Sequence, residues 1–175
     1  MVNLGGMPES RWKALRLAIA ALALQIGVGL EGAAPIWFHH DLLPPDQLPH
    51  LYAAATHYIS LCRGAGWDQR ALEAAASGLA LIVPNHSAYA TCFDPPAANL
   101  IDSYKMPCVT AEAISMGSAY AGLHWWEPDE HQASAFIRAA IDGNPMVNAA
   151  ARTLVLERYT WEQAARRLLM LLRCG

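Results

Sequence analysis

Apolar and polar residues follow two rhythms along this chain, one of helical period and one of continuous buried runs. His57-Tyr58-Ile59-Ser60-Leu61-Cys62 is rich in residues suited to a buried strand, and Leu79-Ala80-Leu81-Ile82-Val83 is an apolar run stopped by Pro84. Between them, Gln69 to Ser77 reads as a helix with Leu72, Ala75 and Ala76 inward, and Gly78 is placed to cap its end. Two buried strands joined by a helix within about thirty residues make a βαβ unit, which implies a parallel sheet with a right-handed crossover. The pattern predicts an α/β fold.

Ahead of this unit, Pro44-Pro45-Asp46 starts a helix reaching Ala55, with Leu48, Leu51, Tyr52 and Ala55 on one face. The chain opens on a short strand remnant, Met1-Val2-Asn3-Leu4, punctuated by Gly5, Gly6 and Pro8. A helix follows from Arg11 to about Gln25 with Ser10 as its N-cap, and Pro35 to Phe38 reads as extended. From Asp94 to Trp126 the pattern weakens into a stretch broken by Pro, Gly and Ser. Glu127-Pro128-Asp129-Glu130 then sets proline and acids at the start of a helix to about Ile141, as a helix dipole favours. In the last helix Thr160 and Gln163 form a capping box, and Trp161, Ala164, Ala165, Leu168, Leu169 and Leu172 form one apolar stripe.

Composition narrows the classes. With 175 residues, 54% apolar and 15% charged, one compact domain is expected and disorder is not. A net charge of -3 offers no broad basic face to a nucleic acid, so any anion site must be local. Cys62, Cys92, Cys108 and Cys174 form no CxxC pair and no close Cys/His cluster, which points to reduced thiols, a cytoplasmic location that includes the membrane periphery, and no metal site. The run Leu17 to Leu24 falls well short of the roughly 20 residues of a membrane-spanning helix, so no integral membrane segment is expected. Arg11, Lys13 and Arg16 before that run suggest a signal peptide, but Glu9 in the basic region and the Ser10 cap favour an ordinary buried helix.

Three motifs are decoys. Gly27-Val28-Gly29-Leu30-Glu31-Gly32 matches the dinucleotide pattern GxGxxG, yet a helix precedes it and an extended piece follows, the reverse of what the fingerprint needs. His124 to His131 holds metal-ligand residue types, for which acids at a helix start are the simpler account. His39-His40-Asp41 follows a predicted strand, but adjacent side chains there point to opposite faces.

In open α/β sheets ligands bind beyond the carboxyl ends of the strands. Two loops have that position and suitable composition. The first spans residues 5–13, where Gly5 and Gly6 allow close approach and Arg11 and Lys13 bring positive charge, a combination suited to a phosphate or diphosphate. The second, Arg63-Gly64-Ala65-Gly66-Trp67-Asp68, runs into the helix carrying Glu73, whose carboxylate can accept hydrogen bonds from a pair of sugar hydroxyls.

These segments resemble those of the family 4 (group 1) retaining glycosyltransferases, in the C-terminal, donor-nucleotide domain of the GT-B fold. Residues 46–56 look like that family's "dLpalYaaAd" helix, and residues 63–79 resemble "rgEGwglplLEAmAsGlPvi". His124-Trp125-Trp126-Glu127-Pro128-Asp129 and residues 159–165 are similar to its later "W.ePD" and "ysWe..a..l" segments. The resemblance implies a three-layer Rossmann-like domain over residues 1–175 with a parallel sheet, lacking the family's N-terminal acceptor domain. It implies a nucleotide diphosphate sugar as donor substrate, with no cofactor and no metal.

By the same resemblance Glu73 binds the donor ribose, Arg11 and Lys13 grip the diphosphate near Gly6, and Phe38 lies where the base is held. Gly64, Gly66, Trp67, Asp68 and Leu72 complete the implied donor site. Ala65 replaces the first glutamate of the family's pair, the one contacting the transferred sugar, so the catalytic residue is unknown and turnover is expected to be weak. The expected function is sugar transfer with retention to an unidentified acceptor, needing a separate acceptor-domain chain or self-association. The rivals are a non-catalytic nucleotide-sugar-binding or protein-interaction module and, more distantly, a dinucleotide oxidoreductase.

Overall fold

The computed structural model describes residues 2–3, 8–27, 29, 36–39, 42–108, 122–143 and 148–173, and divides the chain into two compact units, Met1–Leu48 and Pro49–Gly175.

In the first unit a parallel pair joins β1 (Val2–Asn3) to β2 (Phe38–His39), with Val2 opposite Phe38. Helix α1 (Glu9–Gln25) starts two residues earlier than its pattern suggests, because Pro8 rather than Ser10 is the N-cap residue. A proline there gives up no hydrogen bond, and Glu9 complements the helix dipole while pairing with Lys13 at 2.7 Å. The expectation of a buried helix is not met along α1: Ala23 is buried, but Leu17 and Leu24 are exposed.

The second unit holds the βαβ core. Helix α2 (Leu48–Ala53) leads to β3 (His57–Ile59), α3 (Gln69–Ala76), β4 (Ala80–Pro84), α4 (Ser87–Cys92) and β5 (Asn99–Ile101). The three strands form a parallel sheet in the order β3-β4-β5, with Tyr58 opposite Leu81 and Val83 opposite Leu100. Gly78 ends α3 in the left-handed region at φ 85°, a conformation that costs glycine little, and its N–H reaches the Ala75 carbonyl at 2.9 Å.

A hairpin follows, β6 (Ser103–Pro107) antiparallel to β7 (His124–Pro128), then α5 (Glu130–Asp142), α6 (Ala149–Arg158) and α7 (Trp161–Arg173). Side chains on β4 alternate between two cores. Leu81 and Val83 pack with Ala71, Ala74 and Ala75 of α3 and with Ala151 and Val155 of α6. Ile82 packs with Ile101, Ala133 and Phe136 on the α5 side. Burial on both faces is why β4 reads as an unbroken apolar run. Helix, sheet and helix thus make three layers, as expected.

The capping box ahead of α7 is present in part, since Gln163 N–H donates to Thr160 Oγ1 at 3.2 Å. Its apolar stripe is not covered: among the described residues of α7 none is buried, and Trp161 is 90% exposed.

Candidate functional site

The loops leaving the carboxyl ends of β3 and β4 face each other across a cleft of about 670 Å³. One wall is the stretch 64–67, and the other is the start of α4 with Ser87, Ala88 and Thr91. The walls are tied together by the Ala88 N–H, which donates to the Ala65 carbonyl at 3.1 Å. A Cβ added at Gly64 or Gly66 would meet no atom within 4 Å, and neither residue has a positive φ. Nothing in the packing requires glycine at these positions; what their missing side chains leave is open space in the cleft. Trp67, 57% exposed, stands beside them in edge-to-face contact with Tyr159, ring centres 5.7 Å apart.

A second, smaller lobe of about 420 Å³ shares Gly64 and Ser87 with the first and continues to the hairpin, where Trp125 and Trp126 line it. The Trp126 N–H donates to the Arg63 carbonyl at 3.0 Å, fixing β7 against the loop after β3. Arg63 Nε lies 2.6 Å from Glu127 Oε2, its Nη2 donates to Oε1 at 3.2 Å, and the guanidinium sits 4.5 Å over the Trp125 ring. One of these contacts is a hydrogen bond, to Oε1, while the buried Oε2 has charge contact with Nε but no hydrogen-bond partner.

His86 underlies the junction of the lobes and is 3% exposed. Its Nε2 is 3.0 Å from the Cys62 carbonyl, which can only accept, so Nε2 carries the proton and Nδ1 accepts from Ser87 Oγ at 3.0 Å. The ring stacks on Trp126 at 5.7 Å. Burial pushes its pKa below the ordinary histidine value, so the neutral ring is favoured. Ser87 adopts φ 51°, a left-handed conformation for a residue with a side chain.

Beneath the loop, carboxylates and tyrosines interlock. Asp68 caps α3 by accepting from the Ala71 N–H at 3.2 Å, and its Oδ2 accepts from Tyr58 at 3.0 Å and Tyr89 at 2.6 Å. With the Tyr89 proton directed at Asp68, Ser60 Oγ donates to the Tyr89 oxygen at 2.8 Å. Glu73 accepts from Tyr52 at 2.9 Å and from Gln69 at 2.8 Å. Burial first, then the carboxylate each one touches, drives the Tyr52, Tyr58 and Tyr89 hydroxyls well above their ordinary pKa, so all three stay protonated donors.

Of the residues singled out in the sequence, Gly64, Ala65, Gly66 and Trp67 come together in the larger lobe. Asp68 and Glu73 do not line it and are held by the tyrosines, while Leu72 is in the core. Arg11 and Lys13 lie on α1 in the first unit, where Phe38 contributes backbone to β2 and its side chain is outside the described residues, as is Gly6. His40, Asp41 and residues 30–32 also lie outside the described residues. Asp129, weighed as a metal ligand, caps α5 by accepting from the Gln132 N–H at 2.7 Å. Ser87, which lines both lobes, carried no signal in the sequence, whereas Arg63 heads the candidate loop and Trp125 falls in a segment already quoted for the resemblance.

No family model matches the chain, and no curated protein matches it in sequence. Among solved structures it is similar to sucrose-phosphate synthase from Thermosynechococcus elongatus, with a TM-score of 0.55 and 19% identity, over 91% of this chain and 34% of that one. The likeness is one of fold and agrees with a Rossmann-like α/β architecture. Among the described residues no helix is long and apolar enough to cross a membrane.

Proposed function

We propose that this chain is the donor-binding part of a glycosyltransferase of GT-B type, whose larger lobe takes a nucleotide diphosphate sugar. The observation that carries the reading is the glycine pair: Gly64 and Gly66 border the cleft at the carboxyl end of a parallel strand, and the fold itself has no need of glycine there. Glycine at such a position lets a ligand approach the backbone amides closely. The similarity in fold to sucrose-phosphate synthase supports the same reading.

In this reading the amides of the loop meet the diphosphate, while Tyr52 and Gln69 hold the Glu73 carboxylate one turn along α3. Fixed dipoles and cations aimed at a departing diphosphate stabilise charge as it develops, without a metal. Transfer proceeds with retention to a hydroxyl acceptor held by a separate acceptor domain. Ala65 favours a second reading, a nucleotide-sugar-binding module without turnover, because a methyl group stands where the family's sugar-contacting glutamate is expected.

Calorimetric titration of the full chain with UDP, GDP and their sugars tests the proposal. Binding is expected, and Gly66→Val is expected to abolish it while leaving the melting temperature unchanged. Absence of binding across the panel, or undiminished binding by Gly66→Val, would overturn the reading.

A further inference from the structure

We propose that α7 is a membrane-docking helix, lying flat in the interface of a bilayer that carries anionic lipid. The inference goes beyond the donor reading and does not depend on what the cleft binds. Its support begins with exposure: among the described residues of α7 none is buried, and every residue from Leu168 to Leu172 is more than half exposed. At about 3.6 residues per turn, Trp161, Leu168, Leu169, Leu171 and Leu172 fall within one arc of about 160°, and Met170 is the one large apolar residue outside it. Four leucines and a tryptophan then form a contiguous apolar face, which marks an interaction site.

Charge names the occupant. Arg166 and Arg173 lie along one border of the apolar arc and Arg167 along the other. The single acid of the helix, Glu162, is held by Arg166 at 2.7 Å, so α7 is positive within a chain whose net charge is -3. A sheet of anionic headgroups matches arginines on both borders at once, and their long stems let the guanidinium groups reach headgroup depth while the leucines sink below it. Trp161, the most exposed of the large apolar residues described, starts the helix, where an indole suits the boundary between hydrocarbon and water. A groove on a protein would cover the same leucines only by supplying acids along both of its rims. Tyr159, two residues before Trp161, touches Trp67 of the larger lobe, so docking through α7 keeps the cleft close to the lipid surface.

The test is co-sedimentation of the full chain with phosphatidylcholine vesicles, alone and with phosphatidylglycerol added. Binding is expected to be stronger on the anionic vesicles than on the neutral ones, and to fall as sodium chloride is raised. Arg167→Gln combined with Arg173→Gln is expected to weaken it about twentyfold, at roughly fivefold for each arginine. Leu168→Asp, which sets a charge in the middle of the apolar arc, is expected to abolish it. These positions are exposed, so the thermal melt should not move. Should Leu168→Asp lose helical circular dichroism, the arginine pair decides. Emission from Trp161, read as the difference between the chain and Trp161→Phe, is expected to shift to the blue on the anionic vesicles.

No sedimentation with the anionic vesicles, equal binding to neutral and anionic ones, or full binding by the folded variants would each overturn the proposal. So would a Trp161 signal unmoved by vesicles that the chain binds, which would assign the contact to another surface. A chain that sediments as a dimer, becomes monomeric in Leu168→Asp and ignores vesicles would give the apolar face to a second copy instead.

Discussion

Tyr89 donates its hydroxyl to Asp68 Oδ2 at 2.6 Å, joining the helix behind the cleft to the loop in front of it. Since Asp68 also caps α3 and receives Tyr58, one carboxylate sets the loop, the helix start and the sheet edge together.

Asp68→Ala removes a helix cap and leaves the hydroxyl of the buried Tyr89 without its acceptor. Summing a lost cap and an unsatisfied buried donor, the cost is about 2–4 kcal/mol. Tyr58→Phe, which removes one donor and strands no other group, should cost about 1 kcal/mol. Urea unfolding followed by circular dichroism measures both, and equal midpoints for the two variants would contradict this arrangement.

Stability should fall on acidification because of His86. The folded state favours its neutral ring and lowers its pKa, so the unfolded chain binds the proton more readily. The stabilisation is complete above the unfolded histidine pKa of about 6.5 and is lost as the pH drops through the lower, folded value. In His86→Gln that contribution should vanish from the pH profile of the urea midpoint, while a profile identical to the unsubstituted chain would exclude His86 as its source.

Glycines in this chain divide by what they are for. Gly78→Ala forces a side chain into a positive φ and should cost about 1 kcal/mol or more, seen as a lower unfolding midpoint. A Cβ at Gly64 meets no atom within 4 Å, so Gly64→Val should change stability by no more than about 0.5 kcal/mol. It should nonetheless obstruct the cleft, so nucleotide titration of the same sample should weaken.

Asn148 is a brace between segments, its Oδ1 accepting from Ala151 N–H at 3.0 Å and its Nδ2 donating to the Ala97 carbonyl at 2.8 Å. Asn148→Ala loses both contacts, for an expected cost of about 1–2 kcal/mol. A thermal melt unchanged by this substitution would show the brace to be idle.

Ala65→Glu returns a carboxylate to the wall of the larger lobe. On the donor reading it should raise nucleotide-sugar hydrolysis above that of the unsubstituted chain, followed by release of the nucleoside diphosphate. No gain, with donor binding intact, would favour the binding-module reading.

The β3-α3-β4 unit was legible because each signal is local: an apolar run, a helical stripe, a glycine at φ 85°. Strand β5 and helix α4 were not, having three and six residues, too short to show a period. The hairpin escaped because β6 carries no clean alternation and the two strands find register only with each other. Helix α6 also went unpredicted, since its alanines carry little periodic contrast.

The site was legible where backbone made it and obscure where distant side chains did. Gly64 and Gly66, singled out in the sequence, border the larger lobe. The pairing of Arg63 with Glu127, 64 positions apart, had no trace in either neighbourhood. Nor did the clasp on Asp68 by Tyr58 and Tyr89, without which its carboxylate reads as a ligand group.

Gly64 and Ser87 border both lobes, so a change at either residue is felt on both sides at once. A branched side chain at Gly64 would stand at both openings, and no substitution there could tune one lobe while sparing the other.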